Sequence, residues 1–180
     1  MGLRLSKHLG FFKHLDDFRF KWWLDSNAHN FLETIGIEQG QKVLDFGCGK
    51  GTYSIPASMI VGPTGIVYVL DVNAEALDKV VEKSKVTGLK NIRIIKSSGD
   101  AHIDLTDNCI DHMLLIDVLQ EIVDKLTLFK EANRILKENG VVTVYPMHIK
   151  NEDVMAPANK SGFKLTEVKY NDRILILKKT

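Results

Sequence analysis

The sequence predicts an α/β protein with a doubly wound, mostly parallel sheet of seven strands and an antiparallel C-terminal hairpin. Three observations lead to this prediction. Short β-branched runs alternate with amphipathic segments at helical spacing, which is the pattern of parallel strands joined by helices. A glycine-rich loop follows the first of these strands. The last two apolar runs are separated only by Asn171-Asp172, which is typical of a hairpin turn.

Length and composition are those of an ordinary globular domain. Of the 180 residues, 44% are hydrophobic and 26% are charged, enough for a sizeable core. We expect one domain over residues 1–180, with a helical cover over 1–38 and an α/β core over 39–180. A net charge of +1 gives no reason to expect nucleic acid as a partner, and no apolar run is long enough to span a membrane.

The two cysteines, Cys48 and Cys109, indicate neither a disulfide framework nor a zinc site. We therefore expect a cytoplasmic protein that binds no metal. Cys48 lies inside the glycine loop, where we interpret it as a small space-filling residue rather than a nucleophile.

The N-terminal segment is rich in aromatic residues. Phe18 and Trp22 share one face of a predicted helix, and a second short helix is predicted from Ser26, whose hydroxyl can cap it. Gly36 would end this second helix. Its buried stripe would consist of Phe31, Leu32 and Ile35. We expect these helices to cover one end of the sheet, either as simple packing or as a lid over a ligand.

The rest of the chain alternates regularly between strands and helices. Strands are predicted over residues 43–46, 66–70, 92–95, 112–116, 141–145, 163–170 and 173–177. Helices are predicted over residues 52–60, 74–87, 126–137 and 152–160. Asn73 can cap the second of these helices, and Asn139-Gly140 would end the third.

The loop after the first strand is suited to close approach by a ligand. Glycines stand at alternate positions, Gly47, Gly49 and Gly51. Such glycines let the backbone turn sharply without Cβ atoms between it and a ligand. The helix behind them presents unpaired N–H groups and a positive dipole end. This pattern predicts a nucleotide-type cofactor loop.

Acidic residues occur at the carboxyl ends of four successive strands: Asp45, Asp71, Asp100 and Asp117. In open α/β sheets the ligand lies outside these strand ends, where the strand order reverses. Each aspartate alone could belong to an ordinary turn. Together they predict an acidic ligand crevice.

The spacing of these residues narrows the choice of cofactor. Asp71 follows the glycines by the interval at which a carboxylate binds ribose hydroxyls, which would also suit NAD. Thr52, however, stands where the dinucleotide fingerprint requires its third glycine, and no phosphate loop for ATP is present. A ligand with one ribose, a cationic centre and no pyrophosphate suits these acidic surroundings better than NAD or ATP. S-adenosyl-L-methionine is such a ligand.

Several motifs in order resemble those of the class I S-adenosylmethionine-dependent methyltransferases, especially the small-molecule group of ubiquinone and menaquinone biosynthesis. The matching segments are residues 43–51, 69–72, 99–101, 110–117 and 134–140. The first reads Val-Leu-Asp-Phe-Gly-Cys-Gly-Lys-Gly, and the last carries Asn139 where the family usually has glycine. The resemblance extends from about residue 39 to residue 180 and implies a Rossmann-like fold.

The resemblance implies S-adenosylmethionine as the cofactor, with S-adenosylhomocysteine as its product. It places the cofactor contacts at Asp45, Gly47, Cys48, Gly49, Gly51, Thr52, Asp71, Val72, Asp100, Ala101 and Asp117. Asp71 would bind the ribose, while Val72, Asp100 and Ala101 would contact the adenine. The glycines would hold the methionine part, with Asp45 near its amino group and Asp117 near the sulfonium.

Methyl transfer from a sulfonium is an in-line displacement that mainly needs a well-placed nucleophile. A general base is required only if the acceptor must lose a proton, so the sequence identifies no obligatory catalytic residue. His148, after the fifth strand, is the best candidate for such a base, although an exposed loop histidine would have the same pattern.

The methyl acceptor is expected to be a small, fairly apolar metabolite. The residues after Asp117 lack the Asn/Asp-Pro-Pro-aromatic motif of amino-nitrogen methylation, and the fifth strand lacks the Asp-Asn pair that catechol-type enzymes use for magnesium. We also expect no added domain for recognising RNA, DNA or protein.

Three alternatives stay open at this point. The acceptor could be a macromolecule (RNA or protein), which a basic surface beside the crevice would favour. A non-catalytic protein could bind S-adenosylmethionine without forming S-adenosylhomocysteine. An NAD-binding oxidoreductase would bind nicotinamide nucleotides instead. The sequence predicts neither the acceptor atom nor the oligomeric state.

Overall fold

A computed structural model of the protein describes residues 5–97 and 102–180, with side chains from residue 16 onward except that of Lys96. The strands are β1 (Lys42–Phe46), β2 (Ile66–Asp71), β3 (Ile92–Lys96), β4 (Ile110–Ile116), β5 (Leu136–Tyr145), β6 (Phe163–Lys169) and β7 (Ile174–Lys179). The helices are α1 (Leu5–Ser26), α2 (Ala28–Thr34), α3 (Ser54–Val61), α4 (Ala74–Val86), α5 (Lys125–Ile135) and α6 (Asn151–Lys160). A 3₁₀ turn spans Leu119–Glu121.

The strands form one sheet in the order β3-β2-β1-β4-β5-β7-β6. Strands β1 to β5 pair in parallel, whereas β7 runs antiparallel to both β5 and β6. This arrangement confirms the predicted α/β fold with its antiparallel C-terminal hairpin. The strand order reverses between β1 and β4, so the carboxyl ends of these neighbours border the crevice where such folds bind ligands.

Both faces of the sheet are covered by helices, which explains why its central strands are almost wholly apolar. Val43 packs with buried residues of α1 to α4 on one face, whereas its neighbour Leu44 packs with α5 and α6 on the other. This alternation follows the two-residue period of a β-strand.

Helix α4 begins as its sequence predicts. The side chain of Asn73 accepts hydrogen bonds from the backbone N–H groups of Glu75 (3.0 Å) and Ala76 (3.3 Å). Gly88, two residues beyond the helix, has a φ of +69°, which few residues other than glycine adopt. Helix α3 begins at Ser54, two residues later than expected, with Pro56 in its first turn.

The prediction that Ser26 caps the second helix is wrong. Ser26 is the last residue of α1, and its hydroxyl donates to the carbonyl of Trp22 at 2.8 Å. A serine in a helix can bond to the carbonyl four residues back in this way instead of capping the next helix. Asn27 occupies the cap position of α2 without a side-chain hydrogen bond. The buried stripe of α2 and the φ of +88° at Gly36 agree with the prediction.

Helix α5 ends at Ile135 rather than at residue 137, because Leu136 already pairs with Ile110 of β4. The register then shifts, and pairing resumes between His112 and Val141. The residues in between include Asn139, whose φ is +62°. Asparagine tolerates this left-handed conformation, which explains how it can replace the glycine that is usual at this position.

Helix α1 lies against the carboxyl end of β5. The hydroxyl of Tyr145, the last residue of β5, donates to the carbonyl of Asp17 at 3.3 Å. The Phe20 ring lies 5.4 Å from the ring of Tyr145. Phe18 and Trp22 share one face of α1 as predicted, and both are exposed (Phe18 70%, Trp22 73%). The N-terminal segment thus contacts the sheet where β5 ends. No helix among the described residues is both long and apolar enough to cross a membrane.

Candidate functional site

The glycine loop turns through three positive φ angles, +74° at Gly47, +49° at Gly49 and +77° at Gly51. A Cβ at Gly47 would lie 2.5 Å from the side chain of Val118, and a Cβ at Gly51 would lie 3.0 Å from that of Val80. A Cβ at Gly49 would meet nothing within 4 Å. Packing therefore favours glycine at 47 and 51, whereas the position of a Cβ at Gly49 is free of neighbouring protein atoms.

Hydrogen bonds to β2 hold this loop in place. The N–H groups of Gly47 and Cys48 both donate to the carbonyl of Leu70, at 2.8 and 3.1 Å. The N–H of Gly49 donates to Oδ2 of Asp71 at 2.8 Å, and that of Gly51 donates to the carbonyl of Cys48 at 2.9 Å. Four amides of the loop are thereby used within the protein.

Asp71 is oriented by two backbone amides. Its Oδ2 accepts from Gly49, and its Oδ1 accepts from the N–H of Asn73 at 2.8 Å. Each carboxylate oxygen keeps lone pairs for further donors, as a ribose diol would need. The adjacent Val72 is 75% exposed and offers an apolar surface beside this carboxylate. The end of β2 therefore suits a ribose joined to a planar base.

Asp45 lies beneath the loop and is only 2% exposed. Its carboxylate accepts a hydrogen bond from the hydroxyl of Ser54, the first residue of α3. Burial raises the pKa of Asp45 to about 6, and the charge of Asp71 adds to this rise while the Ser54 hydrogen bond opposes it. Asp45 thus links the end of β1 to the start of the helix behind the loop.

Asp117 directly follows β4 and has a φ of +56°, an unusual backbone conformation of the kind that clusters at functional sites. Nε2 of Gln120 donates to its carbonyl at 2.8 Å and to its Oδ1 at 3.1 Å. Nε2 of His148 lies 3.8 Å from the same Oδ1, and the His148 side chain is partly exposed. Burial raises the pKa of Asp117, while the nearby Lys21 and His148 oppose that rise. The structure therefore brings two predicted residues, Asp117 and His148, together.

Gln120 also leaves one acceptor unsatisfied. Its Oε1 is buried, and no group in the described ranges donates to it. A buried acceptor without a donor costs free energy, so the two hydrogen bonds to Asp117 are formed at the expense of this oxygen.

Cys48 lies between Gly47 and Gly49, and Thr52 follows Gly51. Cys48 is buried, and burial raises the pKa of its thiol, as expected for a space-filling residue. Thr52 is partly buried and precedes Tyr53, the residue before α3.

Asp100 and Ala101 lie outside the described residues. The chain just beyond them is anchored to α5 by Glu131 and Arg134. The carboxylate of Glu131 accepts from the N–H of Ile103 at 2.8 Å. Arg134 donates to the carbonyls of Ile103 (2.9 Å) and Leu105 (2.8 Å). The part of the β3–β4 connection around Ile103 and Leu105 is therefore fixed to helix α5.

Sequence reasoning missed three residues that join α1 to the glycine loop. The hydroxyl of Tyr53 donates to Oδ1 of Asp25 at 2.6 Å. Nζ of Lys21 lies 2.6 Å from the same oxygen and 5.6 Å from the centre of the Tyr53 ring. The i,i+4 spacing of Lys21 and Asp25 was visible in the sequence, but their contact with Tyr53 depends on tertiary packing. This group closes the crevice on the side of α1.

Comparison with known proteins adds to this geometry. A family model described as a methyltransferase domain matches residues 37–172. The demethylmenaquinone methyltransferase of Staphylococcus aureus is 35% identical over 112 residues, which are 62% of this chain and 45% of that protein. The chain thus covers less than half the length of this curated relative.

Solved structures share the fold at lower identity. A SAM-dependent methyltransferase from Aquifex aeolicus superimposes with a TM-score of 0.73 and 24% identity, over 86% of this chain and 90% of its own. The phosphoethanolamine N-methyltransferase 2 of Haemonchus contortus, in complex with S-adenosyl-L-methionine, superimposes with a TM-score of 0.66 and 22% identity, over 77% of this chain and 36% of its own.

Proposed function

Because the chain belongs to the S-adenosylmethionine-dependent methyltransferase family, we propose that it moves a methyl group from this cofactor to a small, fairly apolar metabolite. The observation that carries the proposal is the open space before Gly49, bordered by the oriented carboxylate of Asp71. Gly49 follows β1, which borders the reversal of strand order, and Asp71 ends the neighbouring β2. Ligands of such sheets usually bind at this reversal, which supports the proposal.

In this proposal, Asp71 binds the ribose hydroxyls and Val72 packs on the adenine. The backbone at Gly49 contacts the methionine part, with Gly47, Cys48, Gly51, Thr52 and Asp45 shaping and supporting the loop. Asp100 and Ala101 are assigned to the adenine by family resemblance alone. When bound, the cofactor would supply an electrophilic methyl group carried by a sulfonium. The leaving group would be the neutral sulfide, S-adenosylhomocysteine.

The chain's own task is to hold the acceptor in line and to remove a proton where the acceptor carries one. His148 is the candidate base, because its Nε2 lies 3.8 Å from Oδ1 of Asp117 at the edge where β4 and β5 end. The two side chains thus lie side by side at the edge where β4 and β5 end. His148 would take the proton from the acceptor atom as that atom receives the methyl group.

A cleft of about 590 Å³ at the carboxyl end of β5 has room for a small acceptor. It lies between α1, the loop after β5 and the β6–β7 turn. Its lining combines apolar Met147 and Ile149 with a majority of polar and charged side chains, among them Asp17 and Arg173, and His148 is not part of that lining. The similarity to a demethylmenaquinone methyltransferase also favours an apolar acceptor.

The test is to incubate the protein with S-adenosylmethionine and a panel of apolar phenols and hydroquinones, with bulk RNA and protein as comparison acceptors. We expect S-adenosylhomocysteine and a singly methylated small molecule in equal amounts. Methylation of RNA or protein alone would support a macromolecular acceptor instead. Cofactor binding without any S-adenosylhomocysteine across the panel would indicate a non-catalytic binding protein.

A further inference from the structure

Several carboxylates lie around the crevice. Asp71 ends β2, Asp45 is the last residue but one of β1, and Asp117 directly follows β4. Asp25 of α1 accepts a hydrogen bond from Tyr53 at the end of the glycine loop. These groups suit the ammonium and sulfonium of the cofactor. Its α-carboxylate, by contrast, needs hydrogen-bond donors or a cation within an acidic surround.

Four amides of the glycine loop are not available to that carboxylate. Each backbone amide has one donor, and those of Gly47, Cys48, Gly49 and Gly51 already bond to Leu70, Asp71 or Cys48. A cation can also bind a carboxylate, and the cations at or beside the loop include Lys50, which is exposed, and Lys21 of α1, which is half-buried.

Lys21 is placed to bind that carboxylate. Its ammonium lies 2.6 and 2.8 Å from the two carboxylate oxygens of Asp25, above the ring of Tyr53, and its side chain is 22% exposed. Its charge also acts on Asp117 at the end of β4. An ammonium has three donors, and Asp25 occupies two of them. Tyr53 cannot serve instead, because its hydroxyl donates to Asp25.

We propose that Lys21 binds the α-carboxylate of the cofactor's methionine part, so that helix α1 selects for the intact amino acid. The inference rests on the proposed cofactor site. Asp25 and Tyr53 act as positioning residues, since they hold the Lys21 ammonium between α1 and the glycine loop. The alternative role for Lys21 is purely structural: its contacts with Asp25 and Tyr53 would stabilise the packing of α1 on the core.

Calorimetric titration with two ligands distinguishes these roles. S-adenosylhomocysteine carries the carboxylate, whereas 5′-methylthioadenosine lacks the whole amino-acid end. For Lys21→Met we expect the Kd of S-adenosylhomocysteine to rise about 10- to 100-fold, the range for a lost hydrogen bond to a charged group. The Kd of methylthioadenosine should change less than about twofold. Arg19→Met is the matched control, because Arg19 is an exposed cation on the same helix, and both affinities should stay at wild-type values.

Other outcomes would overturn the proposal. An equal loss for both ligands would give Lys21 the purely structural role, and no loss for either would place the carboxylate elsewhere. If Lys21→Met does not fold, Lys21→Arg is measured with the same two ligands. It should keep the wild-type preference for S-adenosylhomocysteine over methylthioadenosine, and loss of that preference in the folded variant would contradict the proposal. If the wild type binds neither ligand, the cofactor assignment itself fails, which is a different result from the loss of carboxylate selectivity.

Discussion

Replacing Gly49 by alanine distinguishes the effect of this residue on ligand binding from its effect on the stability of the fold. The backbone φ of +49° disfavours alanine, and this left-handed conformation costs about 1–2 kcal/mol for a residue with a Cβ. The new methyl group meets nothing within 4 Å, so no further penalty arises. For a chain of this size, the melting temperature should fall by about 2–8 °C.

The effect on cofactor binding should be larger than this modest loss of stability. The methyl group would occupy the space through which the ligand approaches the backbone. We expect the Kd of S-adenosylhomocysteine to rise at least tenfold, or about 1.4 kcal/mol in binding free energy.

Gly47→Ala is the matched comparison, because its φ of +74° is also positive but its Cβ would lie 2.5 Å from Val118. Overpacking adds about 1–3 kcal/mol to the cost at this position. Thermal melts and calorimetry on both variants give the answer. Wild-type affinity in a folded Gly49→Ala protein would refute the reasoning, because the ligand would then not approach this backbone.

Three further predictions follow from the strand ends. Asp71→Asn should raise the Kd of S-adenosylhomocysteine about tenfold or more, because it removes the charged acceptor that faces the ribose; calorimetry that shows unchanged affinity would contradict this role. Asp45 has a folded pKa of about 6, above its unfolded value, so its ionisation destabilises the fold as pH rises from about 4 to about 6. In urea unfolding, Asp45→Asn should therefore gain up to about 3 kcal/mol over wild type at pH 7.5, and this gain should vanish near pH 4. An equal difference at both pH values would count against it. His148→Gln should lower kcat about 100-fold while cofactor affinity stays unchanged, which a turnover assay with a proton-bearing acceptor measures; unchanged kcat would remove His148 as the base.

The strands and the glycine loop were predictable because their signals are local. β-branched runs, turn residues and helical spacing each involve neighbours along the chain. The cap at Asn73 and the left-handed φ at Gly36 and Gly88 follow from the same kind of signal. Asp71 could be placed beside the glycine loop because parallel strands bring their carboxyl ends to one edge.

The wrong predictions concern helix ends at which contacts with other parts of the chain outweigh the local sequence signal. Helix α1 continues through Ser26, so that hydroxyl turns back to Trp22 instead of capping α2. Leu136 leaves the helical pattern because Ile110 offers a strand partner. Neither preference is visible in the segment itself.

The contact between α1 and the glycine loop could not be found in the sequence. Asp25 and Tyr53 are 28 residues apart, and their hydrogen bond requires α1 to lie across the end of the sheet. The unsatisfied Oε1 of Gln120 likewise appears only once Asp117 has taken the amide hydrogens. These residues gain their significance from packing, which sequence spacing does not encode.

A crystal structure with S-adenosylhomocysteine bound tests the central claim most directly. The account predicts ribose hydroxyls within hydrogen-bond distance of Asp71, the methionine part against the backbone of Gly49, and its carboxylate at Lys21. A ligand seated away from the crevice between β1 and β4, or one whose ribose does not reach Asp71, would contradict it.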